Sequence, residues 1–89
     1  MKVAIIDDER DMRLSISQWL SLSGYEPESF DSAENALATI SSNYPGVVVT
    51  DIKMPGMDGM QLLKKLMGQD SGLPVILITG HGDVPMAVE

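Results

Sequence analysis

Acidic residues recur in this chain at positions where backbone geometry can bring them together. Asp7-Asp8 follows the apolar run Val3-Ala4-Ile5-Ile6, and Asp51 follows Val47-Val48-Val49-Thr50. If both runs are neighbouring parallel strands, the three carboxylates meet at one rim. Like charges so close repel strongly unless a cation joins them. An all-oxygen donor set suits Mg²⁺, which takes a few carboxylates and keeps several waters. Thr79 ends a further apolar run, Val75-Ile76-Leu77-Ile78, and falls at the same rim.

The elements that must position these residues are legible in the alternation of patterns. Four short apolar runs, read as strands at 3–7, 25–30, 47–51 and 74–79, alternate with stretches of helical period at about 11–22, 32–42 and 59–68. That alternation is the pattern of βαβ units around a parallel sheet. Met12, Ile16, Trp19 and Leu20 fall on one helical face, as do Ala33, Ala36, Leu37 and Ile40, while Met60, Leu63 and Met67 form a third stripe. Asp31 or Ser32 can cap the second helix and Asp58 the third. Gly24, Tyr44-Pro45-Gly46 and Gly72 mark turns.

The second strand carries two glutamates and Pro27, which cannot donate a ladder hydrogen bond, so it belongs at an edge. The other three runs are continuously apolar, as expected of strands covered on both faces by helices. Right-handed crossovers then give the order 2-1-3-4, a flavodoxin-like, doubly wound α/β fold. Ligands of such sheets bind at the carboxyl ends of the strands, where the order reverses, here between strands one and three. The run 75–78 is as apolar as a central strand, yet no later strand is apparent. Residues 83–89 read as a helix start, with Asp83 a possible cap and Pro85 in the first turn. The expectation is a fragment of a longer α/β domain, truncated before a fifth βα unit, with an open strand edge and an uncovered helix face that would favour a homodimer or a segment-swapped oligomer.

Composition narrows the function further. The chain has 89 residues, enough for one small core and no second domain. It has no cysteine, which excludes disulfide frameworks, thiolate metal sites and cysteine nucleophiles. Thirteen acidic against six basic residues give a net charge of −7, which argues against nonspecific nucleic-acid binding. No run approaches a membrane span or a signal-peptide core, so a cytoplasmic protein with no membrane partner is expected. His81, the single histidine, reads as a loop residue, Trp19 and the methionines as core or half-buried packing, and Lys64 and Lys65 as a solvated helix face.

Three segments together resemble one family. Ile5-Ile6-Asp7-Asp8-Glu9, Thr50-Asp51-Ile52-Lys53-Met54-Pro55-Gly56-Met57-Asp58-Gly59 and Ile78-Thr79-Gly80-His81-Gly82 resemble the receiver domain of two-component response regulators, and the match spans residues 1–89. The resemblance implies a phosphoacceptor switch rather than an enzyme in the usual sense. Asp51 would take a phosphoryl group from a phosphohistidine on a sensor histidine kinase. Asp8 and Asp51 would bind Mg²⁺ directly, Asp7 mainly through water, and the Lys53 main-chain carbonyl would supply another ligand. Thr79 would bring its hydroxyl onto a phosphoryl oxygen, and Gly80 would leave room for that group and offer its N–H.

The proline and two glycines of the loop after Asp51 would let it return a carbonyl toward the metal. The family's fifth strand carries a lysine that pairs with the phosphoryl oxygens; by the same resemblance it would lie beyond Glu89. Thr79–Val88 is similar to regulators of dicarboxylate transport, whose output is an ATPase activating an alternative sigma factor, and to nitrogen-fixation regulators with a helix-turn-helix output. Arg10-Asp11-Met12-Arg13 favours the former. In either case DNA would be bound only through the output domain. Two other classes compete with this reading. A haloacid-dehalogenase-type phosphatase would need an aspartate where Lys53 stands, and a phosphorylation-independent docking domain would be expected to lose one or more of the acidic residues or Thr79.

Overall fold

The computed structural model describes residues 1–40, 43–69 and 72–78, together with the backbone of 86–88. Its elements are β1 (Lys2–Ile6), α1 (Arg10–Leu22), β2 (Glu26–Phe30), α2 (Ala33–Thr39), β3 (Gly46–Asp51), α3 (Gly59–Gln69), β4 (Val75–Ile78) and β5 (Met86–Val88). The sheet order is β2-β1-β3-β4-β5, which contains the expected 2-1-3-4 with all four strands parallel. The edge position of β2 accords with its proline and glutamates.

The last segment differs from expectation. Residues 86–88 form a strand antiparallel to β4, with Leu77 opposite Met86 and Val75 opposite Val88, rather than continuing a helix. A ladder of N–H and C=O groups along the outer edge of β4 is a ready template for pairing, and a short returning strand meets that demand. The open β4 edge read from the sequence is therefore occupied. The proposed cap Asp83 and first-turn Pro85 lie outside the described residues.

Helix boundaries follow local chemistry. The Ser32 hydroxyl accepts the Asn35 N–H at 3.1 Å, and Asp31 Oδ1 accepts the Asn35 side-chain amide at 2.6 Å. Asp58 and Gln61 cap α3 reciprocally: Asp58 Oδ1 accepts the Gln61 N–H at 2.9 Å and Gln61 Oε1 accepts the Asp58 N–H at 3.1 Å. α2 ends at Thr39, short of the expected 42, because Ile40 is extended and turns its side chain into the core.

The two faces of the sheet are covered unequally. α2 and α3 pack on one face, where Ala33, Ala36, Leu62 and Leu66 bury Ala4, Ile6, Val48, Val75 and Leu77. Among the described residues only α1 lies on the other, over Val3 and Ile5. One helix is about 10 Å wide and strands are about 4.8 Å apart, so a single helix covers about two strands. Val47, Val49, Ile76 and Ile78 consequently line an apolar groove beside Ile16 and Trp19. The expectation of two covered faces holds for β1 but not for β3 and β4.

Two packing expectations change for related reasons. Trp19 is 66% exposed, because among the described residues no second helix closes the groove it borders. Met12 is also exposed, leaving Leu20 as the buried residue of α1. The buried stripe of α3 is Gly59, Leu62, Leu63 and Leu66, with Met60 turned out and Met67 only partly buried.

Burial therefore reverses the ranking that side-chain size alone would give. Leu66→Ala should cost roughly 2–5 kcal/mol, the range for emptying a closed core site. Trp19→Ala should cost less than about 1 kcal/mol, as at exposed positions. Urea unfolding followed by far-UV circular dichroism checks this; equal midpoint losses would contradict the unequal coverage of the two faces.

Candidate metal and phosphoacceptor site

The parallel pairing of β1 with β3 brings the acidic residues together. Ile6 pairs with Thr50, so the residues that follow each, Asp7 and Asp51, leave adjacent strands at the same level. Asp7, Asp8 and Asp51 each offer a carboxylate oxygen within 4.8 Å of the others. Asp7 is buried, Asp51 is half-buried and Asp8 is exposed, so the site has a dry floor and an open mouth. Sequence spacing had placed these three at one rim, and the geometry joins them there.

Each carboxylate is held differently. The Asp7 N–H donates to the Phe30 carbonyl at 3.2 Å, and Asp7 Oδ1 accepts the Glu9 N–H at 2.9 Å. Asp51 Oδ1 accepts the Lys53 N–H at 3.3 Å. Among the described residues, the Asp8 carboxylate has no hydrogen-bond partner. Unit charges 4 Å apart interact by about 1 kcal/mol in bulk water and about 4 kcal/mol at an effective dielectric near 20. Burial raises the pKa of Asp7 above its ordinary value, and the charges of Asp51, Asp8 and Glu9 push the same way, against the lowering effect of the Glu9 N–H. Such an oxygen-only set, crowded and partly desolvated, fits a hard divalent cation.

The loop from Ile52 to Asp58 is fixed from both sides. Of the two glycines expected to give this loop its freedom, Gly56 has φ +74°, a left-handed conformation that favours glycine. Gly59 serves another purpose: a Cβ there would come within 2.3 Å of the Asp51 carbonyl oxygen, so glycine lets α3 begin directly against the end of β3. The Gly59 N–H donates to the Ile52 carbonyl at 2.9 Å. Glu34 on α2 reaches across to accept the Met57 N–H at 3.4 Å. Arg13 on α1 likewise donates to the Asp7 carbonyl at 2.7 Å. These contacts of Glu34 and Arg13 were not read from sequence, because they join residues with no shared motif; only their place in first helical turns could have marked them. Thr79, Gly80 and His81 lie outside the described residues.

The comparisons with known proteins agree with this geometry. Residues 3–89 match the family model described as the response regulator receiver domain. This chain belongs to that family. It is 52% identical over 87 residues to the C4-dicarboxylate transport transcriptional regulatory protein DctD of Rhizobium meliloti, an alignment covering 98% of this chain and 19% of the relative. It is 42% identical to the transcriptional regulatory protein FixJ of Bradyrhizobium diazoefficiens, covering 98% of this chain and 42% of the relative.

Among solved structures, FixJ-N superposes with a TM-score of 0.82 at 42% identity, covering 93% of this chain and 66% of that one. The chemotaxis protein CheY4 of Vibrio cholerae gives 0.79 at 29% identity, covering 85% and 65%. The dicarboxylate and nitrogen-regulatory types read from the sequence are thus both represented. The chain spans only about a fifth of the length of the dicarboxylate-transport regulators.

The raised Asp7 pKa gives a signed prediction. The folded protein binds this proton more tightly than the unfolded chain, so ionised Asp7 costs stability at neutral pH, and the cost fades as pH falls. In metal-free buffer at pH 7, Asp7→Asn should melt above the wild type. The difference should shrink through the acidic range and vanish below the ordinary value of 3.8. Thermal melts at stepped pH check it; a variant less stable than wild type at pH 7 would contradict the cost.

Proposed function

We propose that this receiver domain works as a phosphorylation switch in which Asp51 is the phosphoacceptor. The reading rests above all on the gathering of Asp7, Asp8 and Asp51 at the ends of β1 and β3, with Asp51 reachable from solvent. An Asp51 carboxylate oxygen forms the new P–O bond to the phosphoryl group of a phosphohistidine on a sensor histidine kinase. The P–N bond breaks, and the departing imidazole nitrogen keeps its electron pair and takes a proton from solvent. A carboxylate suits this transfer, which needs positioning and charge neutralisation more than covalent help.

Asp8 and Asp51 would hold Mg²⁺ directly, Asp7 mainly through water, and the Lys53 carbonyl would complete the protein ligands. When bound, the ion supplies neutralisation of the phosphoryl oxygens. Thr79 and Gly80 keep the phosphoryl-contacting roles that the family resemblance implies. New charge and new acceptor oxygens at Asp51 would then bias the surface that an output domain reads. For this chain we infer a transcriptional output domain, a sigma-factor-activating ATPase in the dicarboxylate manner or a helix-turn-helix module, with DNA bound only there. No helix among the described residues is long and apolar enough to cross a membrane, and a cytoplasmic setting fits a kinase-driven switch.

The homodimer or segment exchange read from the sequence keeps one of its two motives. β5 fills the edge of β4, whereas among the described residues no element covers the apolar groove beside α1. Light scattering across a concentration series should show mass increasing with concentration; a monomer throughout would remove self-association.

The phosphoacceptor assignment is tested on this receiver domain with acetyl phosphate and Mg²⁺, followed by intact-mass measurement. The wild type should gain one labile phosphoryl group and Asp51→Asn none, while Asp8→Asn should need far more Mg²⁺. Equal labelling with and without Asp51 would overturn the assignment.

A further inference from the structure

Asp8 is the exposed corner of the acidic site, and among the described residues no hydrogen bond holds its carboxylate. Its direction is therefore set by the backbone that carries it, above all by the peptide plane joining Asp7 to Asp8. The carbonyl of that peptide accepts a hydrogen bond from Arg13 Nη1 at 2.7 Å. Arg13 is the fourth residue of α1, and its own N–H donates to the Glu9 carbonyl at 3.1 Å, so the side chain projects from an anchored first turn.

The other two restraints on Asp7 use main-chain partners, the Phe30 carbonyl and the Glu9 N–H. Arg13 is thus the one side chain among the described residues that fixes this peptide. A guanidinium donor makes the bond charge-assisted, stronger than a neutral one. Its half-buried setting limits competition from water.

We propose that Arg13 is a positioning residue of the cation site, holding the Asp7–Asp8 peptide so that the Asp8 carboxylate faces Asp51. The inference rests on the metal-binding reading of the acidic cluster and adds a residue to it. Arg13 touches neither ion nor phosphoryl group; it acts through Asp8.

The sign of one measurement separates positioning from simple charge balance. A cation close to a cation site opposes metal binding by Coulomb repulsion, so if Arg13 contributed charge alone, Arg13→Ala would bind Mg²⁺ more tightly and Arg13→Lys would be unchanged. Positioning gives the opposite order. Loss of a partner that orients a ligand typically weakens metal affinity ~10- to 100-fold. Arg13→Ala should fall in that range, and Arg13→Lys, which keeps one donor on a shorter reach, should lie between it and wild type.

The test is a Mg²⁺ titration of the ¹⁵N-labelled chain, read from the Asp8 and Glu9 amide shifts, with wild type, Asp51→Asn, Arg13→Ala, Arg13→Lys and Arg13→Gln compared. Alanine is the better helix former, so the fold should persist, as far-UV circular dichroism can verify. Arg13→Gln provides a second neutral variant should Arg13→Ala fail to fold. Weakened binding in the neutral variants, with partial recovery in Arg13→Lys, supports the proposal. Equal or tighter binding in the folded neutral variants overturns it while leaving the acidic site intact. Wild-type Mg²⁺ binding that is absent, or unaffected by Asp51→Asn, overturns both the inference and the reading beneath it.

Discussion

Parallel strands deliver their carboxyl ends to the same rim, and here that rim carries three acidic side chains whose mutual repulsion the rest of the fold must contain. The pairing of Ile6 with Thr50 leaves Asp7 and Asp51 no way to separate without unpairing β1 from β3. Those strands are among the most deeply buried elements of the molecule, so hydrophobic burial holds the charges in place. The raised Asp7 pKa is the local sign of that opposition. A cation, or a change of charge at Asp51, acts on a site already under electrostatic load.

Containment also explains the hydrogen bonding around the rim. Main-chain N–H groups of Glu9 and Lys53 point at the carboxylates of Asp7 and Asp51, and Glu34 restrains the loop behind them. Backbone donors cannot be removed by ordinary side-chain substitution, which leaves the side-chain contacts as the adjustable parts. Gly59 belongs with these constraints although it donates no side chain. The missing Cβ brings the first turn of α3 against the Asp51 carbonyl, so helix packing and the placement of Asp51 depend on one close approach.

Much of this was legible in the residues. Continuous apolar runs at 3–6, 47–49 and 75–78, the proline and glutamates of β2 and the strand-end aspartates were enough to order four strands and place the three carboxylates. Alternation and edge character are local properties that survive folding. Trp19, the α3 stripe and residues 86–88 were not legible in the same way, because each depends on what lies opposite. A helical face rich in large residues predicts burial only if a partner covers it, and among the described residues no second helix lies beside α1 over β3 and β4. Met60 and Leu62 are equally apolar in sequence; the direction from which α3 meets the sheet decides which is buried. Helix-start chemistry at 83–89 competed with the unpaired edge of β4, and at 86–88 the longer-range pairing prevailed.

The unequal covering of the sheet gives the two faces different physical roles. On the α2 and α3 face, close packing ties the loop after Asp51 to the core through Met54, Leu62 and Leu63. A displacement at Asp51 therefore meets a rigid surface, and packed cores respond by shifting between arrangements rather than deforming smoothly. On the α1 face, Val3, Ile5 and Leu20 form a smaller cluster, open beside Trp19. Arg13 joins that less-covered helix to the charged rim through the Asp7 carbonyl. The acidic site is thus held between a well-packed half and a lightly packed one, and the lightly packed half carries the side-chain contact that orients Asp8.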